Sequence, residues 1–145
     1  MNGQMNGYWR RFLDWCGDSS IQGWGPKLQG ATGVDWDGPV PWCKLYAFRQ
    51  KSVGQWGVLV RLTTDHGREV WERIEATGRL PPDARLSSFP NDRFRPRWNI
   101  VISLRTGEFE VMDEAEQFAW LLEKTQTLAT FIEAHLWPAS EAGSI

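Results

Sequence analysis

Three arginines at alternate positions, Arg93, Arg95 and Arg97, flank Phe94 and Pro96 in the middle of the chain. In extended backbone that spacing puts all three guanidiniums on one side. Such a row can contact successive phosphates or grip carboxylates bidentately. Arg85 and Arg105 stand nearby, and Phe89 and Phe94 can stack on unpaired bases. Between residues 79 and 105 there are six arginines against Asp83 and Asp92, a local balance of +4. From 106 to 145, eight acids face Lys124 alone, a balance of −7. The arginines can therefore bond the acidic C-terminal helix, through Glu114, Glu116 and Glu123, as readily as nucleic acid or an acidic protein partner.

Other chemistry finds less in the sequence. A restriction-type nuclease needs an acid followed by acid-x-Lys on the adjoining strand, so that carboxylates hold Mg²⁺ beside a lysine. Asp35 and Asp37 precede Lys44, but Trp42 fills the position two before it. A small metal-dependent hydrolase or nuclease built on these two aspartates is the enzymatic alternative, and turn residues are the plainer one. Cys16, Cys43, His66 and His135 form no close pair of the kind structural zinc uses. Both thiols read as packed and reduced, and both histidines as local parts of helix ends. No G-x-S-x-G, Walker or G-x-G-x-x-G pattern follows a strand. No catalytic residue, metal or cofactor is expected.

Ten tryptophans, seven phenylalanines and two tyrosines dominate the apolar content of the 145 residues. Rings that each bury roughly 150–250 Å² suit packing and stacking better than proton transfer. Most tryptophans fall on inward faces. Trp24, Trp36 and Trp137 fall in loops or at a helix end, where they can pin a loop, line a ligand groove or serve as an interface. The net charge of −2 provides no global field for a polyanion. The N-terminus lacks an apolar signal core, and no stretch is long enough to span a membrane. A cytoplasmic protein is expected.

The elements follow from periodicity. Trp9, Phe12, Leu13 and Cys16 predict a helix over 8–16, stopped at Gly17. A Gly- and Pro-punctuated connection follows over 17–41, with a short strand near Val34–Asp37. WCKLYAFR (42–49) and WGVLVRL (56–62) predict a hairpin. Thr64 or Asp65 starts a helix that ends at Gly78. Pro81, Pro82, Pro90 and Pro96 forbid regular helix and mark 79–97 as a loop or extended segment. Trp98–Leu104 reads as a strand, turning at Arg105-Thr106-Gly107-Glu108 into a second strand, Phe109–Met112. Asp113 and Glu116 form a capping box for a helix that runs to Leu136. The order α–ββ–α–ββ–α predicts an α+β domain over 8–137, an antiparallel sheet with helices on one face. Residues 1–7 and 138–145 are expected to be flexible termini.

The opening Tyr8-Trp9-Arg10-Arg11-Phe12-Leu13, the KLYAF…GVLVRLT hairpin, and the helix bearing Trp71 and Ile74 form one part of a pattern. The Arg97-Trp98-Asn99-Ile100 strand and the closing QFAWLLEKTQTLATFIEAHL complete it. Together they resemble the bacterial domain-of-unknown-function family 4268 over most of residues 8–137. Members often sit C-terminal to a half that resembles a restriction-type nuclease. The resemblance therefore implies an accessory module in nucleic-acid processing or phage defence. These 145 residues hold no such half, and the family has no agreed catalytic residues to carry over. The expectation is a binding module for a macromolecule, nucleic acid or acidic protein. A structural protein that dimerises through exposed tryptophan or an edge strand is the remaining alternative.

Overall fold

The computed structural model describes residues 2–16, 25–28, 33–91 and 96–136. Six strands form one sheet: β1 (Gly25–Leu28), β2 (Gly33–Asp37), β3 (Cys43–Gln50), β4 (Gln55–Thr63), β5 (Arg85–Phe89) and β6 (Arg97–Arg105). Every neighbouring pair is antiparallel, in the order β1-β2-β3-β4-β6-β5. Four helices accompany it: α1 (Asn2–Cys16), α2 (Thr64–Thr77), α3 (Thr106–Glu110) and α4 (Glu114–Leu136). This is the α+β fold with an antiparallel sheet that the hydrophobic alternation implies.

The core lies between the helices and one face of the sheet. Alternation in β4 puts Trp56, Val58, Val60 and Leu62 on that face, and β6 matches it with Trp98, Ile100 and Ile102. From α1, Trp9 packs beside Trp56, and Phe12 lies edge-on to Trp36. Val70, Trp71 and Ile74 come from α2, and Leu121, Leu128 and Ile132 from α4. Gly67 lets α2 approach β4 closely, since a Cβ there would stand 2.9 Å from the Leu62 carbonyl carbon.

Local signals set the element ends. Gly78 takes φ +65° and donates its N–H to the Ile74 and Glu75 carbonyls, closing α2. The Asp113–Glu116 box forms as read. The Glu116 N–H donates to Asp113 Oδ1 at 2.9 Å, and the Asp113 N–H to Glu116 Oε1 at 3.3 Å.

Three local expectations are corrected. Residues 106–110 form helix α3, in place of the turn at 105–108 and the start of the returning strand Phe109–Met112. β4 pairs with β6 along its whole length, and β5 takes Arg97–Val101 of the other edge, so only Ile102–Arg105 stays open to a returning strand. Phe109 is instead buried, stacked on Trp56 at 4.6 Å between ring centroids. Within the stretch read as a loop or extended segment, Arg85–Phe89 is a regular strand, β5. An edge strand needs one hydrogen-bonded side and little apolar alternation, so Pro82 and Pro90 can bracket it. Strand β1, which contains Pro26, likewise lies on the opposite edge. Finally, α1 begins at Asn2, ahead of the Tyr8 start read from its apolar stripe.

Candidate functional site

The second face of the sheet carries the alternate residues of the same strands. On β3 these are Lys44, Tyr46, Phe48 and Gln50. On β4 they are Gln55, Gly57, Leu59, Arg61 and Thr63, and on β6 Arg97, Asn99, Val101, Ser103 and Arg105. β5 adds Arg85, Ser87 and Phe89, and β2 adds Asp35 and Asp37. Among the described side chains of β2 to β6, five cations and three aromatic rings thus share a face with two carboxylates. Among the described residues the buried helix side chains pack against the opposite face.

Register brings the charges and rings into contact. Arg97 lies directly across from Phe89, its guanidinium 4.7 Å from the ring centroid. The Arg61 guanidinium sits 4.8 Å from the Tyr46 ring centroid and donates from Nε to Asn99 Oδ1 at 3.3 Å. Arg85 donates to Gln55 Oε1 and Ser103 Oγ at 3.3 and 3.1 Å, while Lys44 stands 3.7 Å from Asp37. Planar guanidiniums held over aromatic faces are oriented and partly desolvated, which strengthens their electrostatics. A groove of about 440 Å³ crosses the face, lined by Tyr46, Phe48, Gln50, Leu59, Arg61 and Arg97.

The residues expected from sequence divide three ways. Arg85, Arg97 and Arg105 share this face, with Arg97 and Arg105 at opposite ends of β6. Arg93, Phe94, Arg95, Trp24 and Trp137 lie outside the described residues. Trp36 is not a groove or interface residue, because β2 turns it under α1 and leaves it 2% exposed. Asp35 and Asp37 are strand residues, not turn residues. No group of three His, Cys, Asp or Glu side chains arranged to hold a metal ion occurs among the described residues.

Three acids of α4 have partners outside the arginine-rich stretch. Glu114 takes Arg11 at 2.7 Å, Glu116 caps its own helix, and Glu123 stands 3.9 Å from Lys124. Both cysteines are free thiols. Burial pushes the Cys43 thiol up to about 12 and the Cys16 thiol to about 11, which makes both poor nucleophiles. His66 stacks on Trp42, and His135 Nδ1 lies 2.8 Å from the Phe131 carbonyl, at opposite ends of their helices.

Sequence reading missed Lys44, Tyr46, Phe48 and Arg61. Their signal was present, since Lys44, Tyr46 and Phe48 alternate with the buried Cys43, Leu45 and Ala47. The apolar half of that alternation marks the core, and the other half marks this face. No helix among the described residues is long and apolar enough to cross a membrane. Comparison with protein-family models, curated proteins and solved structures finds no match to this chain.

Proposed function

We propose that this domain is a nucleic-acid-binding module that uses the face of its sheet that is helix-free among the described residues. The observation that carries the reading is the gathering of Lys44, Arg61, Arg85, Arg97 and Arg105 onto one face with Tyr46, Phe48 and Phe89 among them. Cations placed on rigid strands can follow a phosphate backbone, and interleaved rings offer base-stacking surfaces. The same charges without rings would fit any polyanion, and the rings favour nucleic acid over an acidic protein. The setting implied by the family resemblance, an accessory to nucleic-acid processing or defence, agrees with this use.

The test is fluorescence anisotropy of a labelled oligonucleotide across a salt series. Affinity should fall log-linearly with salt, and reversal of Arg85 and Arg105 to glutamate should weaken binding and reduce the slope by about 1 per lost phosphate contact. Absence of binding at low salt, or an unchanged slope in the reversed protein, overturns the reading. Equal binding of a polyglutamate peptide of matched charge also counts against it.

A further inference from the structure

The three rings of the helix-free face are not equivalent. Tyr46 is covered by Arg61 and Phe89 by Arg97. Among the described residues no ring or guanidinium lies on Phe48. Its position depends on a gap in the neighbouring strand, where Phe48 pairs across to Gly57. A Cβ at position 57 would stand 3.0 Å from Phe48 Cζ and 2.5 Å from the Ile102 carbonyl oxygen. Glycine therefore lets the ring lean across β4, where it becomes a wall of the groove shared with Arg61 and Arg97.

We infer that the nucleic acid taken by this face is single-stranded, with one base stacked on Phe48 and the adjoining backbone held by Arg61 and Arg97. The inference rests on the nucleic-acid reading and narrows it. In a duplex the base faces are already stacked on one another, so an open ring is used without an unstacking cost only by an unpaired base. Stacking on a phenyl face reads no hydrogen-bonding edge, so the preference for base identity is weak. The two ring-held arginines supply charge at fixed positions beside the stacked base.

Four ligands of equal length separate the outcomes: oligo(dT), the same strand with abasic sites throughout, a duplex, and the polyglutamate peptide. Each is titrated against the full chain and against Phe48→Leu and Phe48→Tyr, with near-ultraviolet circular dichroism confirming the fold. Oligo(dT) should bind about tenfold or more tighter than the abasic strand. Phe48→Leu should lose about that factor on oligo(dT) alone, with the salt slope unchanged, and Phe48→Tyr should retain it. Equal affinity for oligo(dT) and the abasic strand, or no loss in a folded Phe48→Leu, overturns the inference. So does a duplex bound as tightly as the single strand. Salt-dependent binding that persists in those cases leaves the broader reading standing. If no nucleic acid binds in a salt-dependent way, that reading fails first.

Discussion

The two faces of the sheet are made by the same strands, one residue out of phase, and they solve different problems. On the helix side β4 presents Trp56, Val58, Val60 and Leu62, and the other elements converge on them with tryptophan and aliphatic side chains. On the other side it presents Gln55, Gly57, Leu59, Arg61 and Thr63. The first face gains its stability from apolar area removed from water. The second keeps cations and rings half-exposed, in pairings such as Arg61 with Tyr46, each worth little to folding at a solvated surface. A period of two lets one strand carry a core and a contact surface without compromise between them.

Charge follows the same division. The described helices α2, α3 and α4 carry most of the acids, whereas the helix-free face gathers arginines from β4, β5 and β6. A chain with a net charge of −2 therefore has a cationic side. Whole-chain charge hides that asymmetry, because the opposing sets lie on opposite sides of one sheet.

Substitutions at adjacent positions of β4 and its neighbours test the contrast. Trp56→Ala should have the largest effect, about 3–5 kcal/mol in urea unfolding, because it strips a ring packed by Tyr8, Trp9 and Phe109. Leu59→Ala, three positions on but facing the other way, should cost at most about 1.5 kcal/mol. Equal costs would mean that the helix-free face is also a core.

Gly57→Ala comes next, at about 1–3 kcal/mol, since the new methyl meets the Ile102 carbonyl and the Phe48 ring. Stability unchanged in thermal melts would show that Phe48 moves aside at no cost.

Alkaline pH probes the covered side. Burial raises the Cys43 thiol from 9.0 to about 12, and burial with Glu114 nearby raises the Tyr8 phenol. Both groups keep their protons in the native chain at pH values where the unfolded chain loses them. Their contribution to stability is whole below about pH 9 and is lost as pH climbs through the folded values, because the unfolded state then binds fewer protons. Tm should fall between pH 9 and 12, and Cys43→Ala should flatten the early part of that fall. An identical profile in the variant would remove Cys43 as a cause.

Asp113→Ala, which breaks the capping box of α4, should cost about 0.5–2 kcal/mol, measured by urea unfolding. The smallest effect belongs to Arg85→Glu. It should change stability by no more than about 0.5 kcal/mol while weakening oligonucleotide binding. A large loss of stability there would make the Gln55 and Ser103 contacts structural ones.

Much of the fold was readable because burial on one face repeats its signal every second or every third to fourth residue. The β3–β4 hairpin, β6, α2 and α4 all declared themselves this way, and Gly78 and Asp113 marked helix ends by local chemistry. Elements that need little burial or little length were not readable. RLSSF has no apolar alternation, because β5 borrows its position from β6 alone. TGEFE turns helical and buries Phe109 against Trp56, a contact with a distant strand that its own five residues do not announce. For the candidate site, the arginine-rich stretch drew attention to Arg85, Arg97 and Arg105. Lys44 and Arg61 join them from strands some 40 residues earlier, a proximity that local spacing does not encode.

By itself the sequence determined which residues seek the interior, since hydrophobic periodicity is a local property of the chain. It also determined where helices stop, since caps and left-handed glycines act on their own neighbours. Strand order, and with it the meeting of Lys44, Arg61, Arg85 and Arg97 with Tyr46, Phe48 and Phe89, was decided only in the tertiary structure. Pairing between strands distant in sequence is chosen by which edges remain open once the core has closed, and that competition has no local signature.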